Sequence, residues 1–269
     1  MSTRELGAAL EAVDQACVYL MKAYAAFEVI ADAPSNITTD ADRGAQEIIL
    51  KFLHEHFPDD ALCAEEETAM AKIAPAVGPR LWIVDPIDGT RGFARKNGEF
   101  SVMVAFCRDG VLEVGIVAQP AFGRLTYAAR GQGCWRRDGD KPVERCSVTR
   151  VAELSQATLT QSRSKAGSKR SPLVEALAPA KIVETYSAGV KLALVARGEA
   201  DIYLNDYDQF HDWDIAAGDI LVTEAGGTVT GMAGQPLVYG LPEAWQRHGL
   251  IATNGLLHDE AARRLRRNG

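Results

Sequence analysis

Apolar positions between residues 6 and 28 (Leu10, Val13, Cys17, Leu20, Met21 and Tyr24) recur mostly at spacings of three and four, the period of an amphipathic helix with one buried face. A second helix is predicted within "NITTDADRGAQEIILKFLHEHFP". It begins near Thr39 to Asp42, where Thr and Asp precede an apolar-periodic run, and ends before Pro58. "ALCAEEET" reads as a short strand that runs into acidic residues. After residue 81 the period falls to two. Phe100, Val102, Val104 and Phe106 alternate with other residues, then Leu112, Val114 and Ile116, then Leu125, Tyr127 and Ala129, with breaks at "RDG" and "PAFG". This predicts antiparallel strands joined by turns. From about residue 150 helices and strands alternate: a helix after Ser171, a strand over 182–185, a helix over 187–196, a strand over 200–204 and a helix over 213–225 closed by Gly226-Gly227. The expected division is an N-terminal α+β region, 1–147, and a C-terminal α/β region, 148–269, with the boundary inside 143–153.

Composition narrows the class without naming a chemistry. With 47% hydrophobic and 24% charged residues in 269, the chain is ordinary for a globular protein with a large core. No apolar run approaches the roughly 18–20 residues that span a bilayer. The first 24 residues carry acidic side chains and amphipathic spacing where a signal peptide has its apolar stretch, so a cytoplasmic protein without integral membrane contact is expected. Five scattered cysteines with no CxxC read as reduced thiols. The histidines lack zinc spacing, since His54 and His56 fall on different helix faces. A net charge of -7 argues against a nucleic-acid polymer as partner. A small anionic substrate stays open, because bound cations can supply positive charge locally.

The segment "LWIVDPIDGTRGF" (81–93) carries the candidate chemistry. An apolar run ends in Asp85, and Asp88 follows three residues later. Pro86 biases Asp85 toward extended backbone, and Gly89 permits a tight turn into a helix through Thr90. Such a turn would aim both carboxylates at one point and leave the Ile87 carbonyl and the Gly89 and Thr90 amides free. Carboxylates with a carbonyl make a hard-oxygen site suited to Mg²⁺, and free amides at a helix start suit a phosphate. Glu65, Glu66 and Glu67 in "CAEEET" and Asp214 in "HDWDIAAGDILVTEAGG" could complete the set. Taken alone, the first cluster reads as a solvated turn and Asp214 as a helix cap.

Together these segments resemble the inositol-monophosphatase-like, metal-dependent, lithium-sensitive phosphatases. "DPIDGTRGF" matches that family's DPxDGTxxF signature, and "WDIAAGDILVTEAGG" its WDxAAGxxLVxEAGG. "CAEEET" stands in place of its (G/S)EE element, and "TTDADR" resembles its VTxAD element. The resemblance implies a five-layer α-β-α-β-α sandwich of the α+β class and, often in the family, a homodimer. It implies Glu65, Asp85 and the Ile87 carbonyl as ligands of one Mg²⁺, Asp85, Asp88 and Asp214 as ligands of a second, and a third, weaker Mg²⁺ by Glu65 with Asp42 reaching it through water. Asp88, Gly89 and Thr90 match the phosphate-binding turn. Thr90 and Thr39 match hydroxyls near an attacking water, which Thr90 and Glu65 would orient with help from Asp42. The implied activity is hydrolysis of a small phosphorylated metabolite. "RGFARKNGEFSVMVAF", "QSRSK" and "SAGVKLALVARGEADIY" resemble the branch that cleaves 3'(2'),5'-bisphosphate nucleotides, and by that likeness Ser162, Arg163, Ser187 and Lys191 would contact the nucleotide or its second phosphate. The segment "LNDYDQFHD" departs from that branch. It is one residue longer, acidic, and without Arg or Lys. Inositol monophosphate or another small ester is the alternative substrate, and a silent metal or nucleotide sensor the reading outside enzymes.

Overall fold

Alternation on both faces of one sheet sets the architecture. The computed structural model describes residues 4–34, 36–163, 171–207 and 210–268. Helices α1 (Arg4–Ala26) and α2 (Asp40–His56) precede β1 (Ala61–Ala64), β2 (Arg80–Asp88), the short α3 (Thr90–Ala94), β3 (Ser101–Arg108), β4 (Val111–Gln119), β5 (Arg124–Ala129), β6 (Gly133–Asp138) and β7 (Glu144–Arg145). These seven strands pair in chain order, β1 parallel to β2 and the rest antiparallel. Successive side chains of a strand point to opposite faces. Trp82, Val84, Val102, Val104 and Phe106 therefore pack with α1 and α2, while Leu81, Ile83, Met103 and Ala105 pack on the other side. Burying each such Val, Leu, Ile or Phe contributes about 1.5–3 kcal/mol.

The second half supplies β8 (Thr158–Ser162), α4 (Pro172–Leu177), β9 (Lys181–Thr185), α5 (Ala188–Ala196), β10 (Ile202–Asn205), β11 (Phe210–His211), α6 (Asp212–Glu224), β12 (Thr228–Thr230), β13 (Trp245–Gln246), β14 (Leu250–Thr253) and α7 (His258–Asn268). A five-stranded sheet runs β12-β14-β10-β8-β9, and β11 pairs with β13. Leu192, Ala193, Ile215, Ala216 and Ala217 of α5 and α6 share one core with the inner face of the first sheet and with Tyr203, Leu250 and Ala252 of the second. On the far face, Leu159, Ile202, Leu204 and Ile251 meet α4 and α7. The layers are helix, sheet, helix, sheet, helix, as the resemblance implies.

The predicted helices and strands fall within a few residues of those observed. One local expectation changes. The strand does not end in a turn at Asp85 but continues to Asp88 through a bulge, because Asp85 pairs with Met103 and Asp88 with Ser101. Three steps on β2 oppose two on β3, and Pro86, which has no ladder donor, sits inside the extra step.

Candidate active site

That bulge is what brings the two aspartates together. Residues three apart in a regular strand face opposite sides. The extra residue turns Asp88 back to the side of Leu81, Ile83 and Asp85, toward α5 and α6, while Ile87 packs with α1 and α2. Gly89 then reverses the chain at φ +88°, ψ 39°, a left-handed conformation. A β-carbon there would lie 2.8 Å from the Glu99 carbonyl oxygen and 3.2 Å from the Ser187 β-carbon, so this turn is open only to glycine. The amides of Gly92 and Phe93 bond back to the Gly89 carbonyl, which starts α3 just after the turn.

Two other helix starts bring oxygens to the same place. Thr39 caps α2 and Asp42 is the third residue of its first turn. Asp42 Oδ2 accepts from the Thr39 amide at 2.8 Å and hydroxyl at 2.6 Å, and Asp42 Oδ1 accepts from the Thr90 hydroxyl at 2.9 Å. The Thr90 hydroxyl is also 3.0 Å from the Ile87 carbonyl. Asp42 is wholly buried and joins both threonines. Asp214, third in α6, accepts from the His211 amide at 2.6 Å. One carboxylate oxygen each from Asp85, Asp88 and Asp214 lies within 4.8 Å of the others. Glu65 meets the cluster through its contact with Asp85 and lines, with Thr38, Arg43, Glu66, His211 and Trp213, a cleft of about 550 Å³ beside Asp214.

This donor set fits a divalent cation. All its members are hard oxygens, and Asp85 Oδ1 is buried without a hydrogen-bond partner among the described residues. Desolvation first, then the charges of Glu65, Asp88 and Asp214, hold the Asp85 carboxyl well above the ordinary carboxylate range. Desolvation, then Asp214, pushes Glu65 up to about 8. Asp214 rises to about 7, again first by desolvation, against the opposing His211 amide bond. These carboxyls hold protons to higher pH than the unfolded chain does. Their contribution to stability is therefore complete below about pH 4 and lost as pH rises through about 7–8. Protein stripped of cations is expected to lose melting temperature between about pH 5.5 and about pH 8.5, with Mg²⁺ raising it more at the higher pH. Scanning calorimetry reads both, and an equal Mg²⁺ shift at the two pH values would contradict the linkage.

Ser187 is fully buried and caps α5. It donates to Asp88 Oδ2 at 2.5 Å, and that carboxylate also accepts from the Ala188 and Gly189 amides at 3.1 and 2.6 Å. Lys191 is 1% exposed, not a solvated helix residue. Its ammonium donates to Ser162 Oγ and to the Thr185 and Tyr186 carbonyls at 3.2–3.3 Å, and burial lowers its pKa to about 8. Arg163 makes a forked ion pair with Glu99 and donates to the Glu184 carbonyl at 3.1 Å. Ser162, Arg163, Ser187 and Lys191 thus hold one another's elements together beside the aspartates. Ser164 and Lys165 of "QSRSK", and Asp208 and Gln209 of "LNDYDQFHD", lie outside the described residues.

Two features escape the sequence reading. Gln46, fully buried one turn after Asp42, clamps the acidic loop. Its carboxamide donates to the Glu66 carbonyl at 2.5 Å and accepts from the Glu66 amide at 2.8 Å. A polar residue inside the apolar stripe of α2 is the signal that could have found it. His211 stacks on Trp213, ring centroids 4.1 Å apart, and lies tilted against Trp245 at 3.9 Å.

Comparison with known proteins agrees with this geometry. Residues 3–269 match the model of the inositol monophosphatase family. A histidinol-phosphatase of Mycobacterium tuberculosis is 36% identical over 98% of this chain and 99% of its own. A 3'(2'),5'-bisphosphate nucleotidase of Buchnera aphidicola is 34% identical over 76% of this chain and 74% of its own. The solved inositol monophosphatase of Anabaena superposes with a TM-score of 0.80 at 27% identity, covering 98% of this chain and 96% of that one. No helix among the described residues is long and apolar enough to cross a membrane. The chain belongs to the inositol monophosphatase family and is a phosphatase, a hydrolase of phosphomonoesters.

Proposed function

We propose that the chain is a Mg²⁺-dependent phosphomonoesterase that uses water, with no covalent phosphoenzyme. The convergence of Asp85, Asp88 and Asp214 beside the Gly89 turn carries this reading. Two Mg²⁺ would be held by Glu65, Asp85, the Ile87 carbonyl, Asp88 and Asp214, and a third, weaker one near Glu65. When bound, they lower the pKa of water and neutralise charge on the phosphoryl and leaving oxygens. The chain's own work is placement. Asp42 accepts from Thr39 and Thr90, which fixes both hydroxyls with a lone pair open to a water, and Thr90 with Glu65 orients that water. The amides of Gly89 and Thr90 receive the phosphoryl oxygens. Ser187 and the first amides of α5 hold Asp88 in place.

For the ester we infer the 3'-phosphate of adenosine 3',5'-bisphosphate, supported by the "FARKNGEF" segment and the nucleotidase relative. A specific observation favours a second reading, L-histidinol phosphate: His211 and Trp213 give the cleft an aromatic wall, Glu65 to Glu67 give it an acidic lip, and a curated relative that matches 98% of this chain is a histidinol-phosphatase. Phosphate release from a panel of adenosine 3',5'-bisphosphate, histidinol phosphate and inositol 1-phosphate decides, read as kcat/KM with Mg²⁺ and with chelator. The expected result is turnover abolished by chelator and greatest for the bisphosphate. A preference for histidinol phosphate selects the second reading, and no release from any ester overturns both.

A further inference from the structure

We propose that Arg91, braced on Tyr186, is the subsite that takes a second anionic group of the substrate. This rests on the phosphomonoesterase reading and adds to it a specificity-determining pair. Arg91 follows the Gly89-Thr90 turn directly. Tyr186 precedes Ser187, whose hydroxyl holds Asp88. The two segments touch, since a β-carbon at Gly89 would stand 3.2 Å from the Ser187 amide and β-carbon alike. Arg91 and Tyr186 thus stand together at the edge of the aspartate cluster, with the Arg91 guanidinium 5.3 Å from the centre of the Tyr186 ring.

The neighbouring cations are already committed. Arg163, 5.6 Å from the same ring, is neutralised by Glu99. Lys191 is buried against three oxygens. Arg43 lies near Asp40 and Glu66. Arg91 differs from all three. Among the described residues no carboxylate lies within ion-pair distance of it, and its Nε is buried without a hydrogen-bond partner. A guanidinium attracted to an aromatic face is held near it while its fork stays available, and that fork matches the paired oxygens of a phosphate or carboxylate. The chemical class is therefore a phosphomonoester bearing a second phosphate or carboxylate, with the reacting phosphoryl at the Gly89 turn and the other anion at Arg91.

The test compares adenosine 3',5'-bisphosphate with adenosine 3'-monophosphate on wild type, Arg91→Leu, Arg91→Lys, Tyr186→Phe and Tyr186→Ala. Wild type should prefer the bisphosphate. Arg91→Leu should lose about 10- to 100-fold in kcat/KM on the bisphosphate, mostly through KM, the scale of hydrogen bonds to a charged group. On the monophosphate it should stay within about threefold, since the ester phosphate keeps its contacts. Arg91→Lys should fall between, Tyr186→Phe should keep the preference, and Tyr186→Ala should weaken it. An equal loss on both nucleotides, or wild type that does not favour the bisphosphate, overturns the proposal. Failure of the phosphomonoesterase reading shows separately, as no Mg²⁺-dependent phosphate release from any ester. The subsite is then read by calorimetric binding of adenosine 3',5'-bisphosphate, where equal affinities for wild type and Arg91→Leu overturn it.

Discussion

Replacing Asp85 with asparagine is expected to lower kcat by about 10³-fold or more while the protein stays folded, since a metal's stabilisation of transition-state charge is worth several kcal/mol. Asp85 is 2% exposed, and one of its carboxylate oxygens has no hydrogen-bond partner among the described residues. In the folded chain it faces Glu65, Asp88 and Asp214. That is a poor arrangement for stability alone, because like charges are gathered where water is excluded. Asparagine relieves the repulsion at nearly the same volume, so the melting temperature of the metal-free protein should hold or rise while turnover collapses. Steady-state kinetics at saturating Mg²⁺, with calorimetry on the same preparation, separates the two. Near-normal turnover, or a large fall in melting temperature, would contradict the ligand role.

The second large effect is expected from Gly89→Ala. The left-handed backbone costs alanine about 1–2 kcal/mol, and its β-carbon would press on the Glu99 carbonyl at 2.8 Å and on Ser187, adding about 1–3 kcal/mol of overpacking. For a chain of this size that amounts to a loss of about 5–15 °C in melting temperature. The damage to function should be larger. The same turn separates Asp88 from Thr90, so yielding there moves the proposed ligand, the amide proposed to face the phosphate and the hydroxyl proposed to orient water together, and a displacement near 1 Å costs about 10²-fold in rate. Differential scanning calorimetry and kcat measured together check this. An alanine variant with unchanged melting temperature and turnover would mean that the turn is not constrained as described.

Much of the fold was legible because its periods are strong. Val102, Val104 and Phe106 alternate as a strand should, and α1 and α2 keep a helical stripe. Other parts were hidden for physical reasons. Helix α7, "HDEAARRLRRN", is so polar that Ala261, Ala262 and Leu265 are its only clear apolar face. The bulge was masked because Pro86 and Gly89 read as the turn that ends a strand at Asp85, whereas the strand runs on to Asp88 and takes Pro86 into an extra step. Asp214 could be joined to them only by family resemblance, because no local pattern reports that α6 points its first turn at the end of β2. The long cations mislead in the same way. Lys191 in "GVKLALVA" looks like the polar position of an exposed helix, yet tertiary packing seals it over the ends of β8 and β9, where three oxygens replace water.

The central claim is that oxygens from the end of β2 and the start of α6 enclose divalent cations beside the Gly89 turn. Anomalous diffraction from crystals soaked in Mn²⁺ and inorganic phosphate tests it most directly. The account predicts Mn²⁺ peaks bonded to Asp85, Asp88 and Asp214, with phosphate on the Gly89 and Thr90 amides. Ordered Mn²⁺ elsewhere on the protein, with those three carboxylates bare at saturating metal, would contradict it.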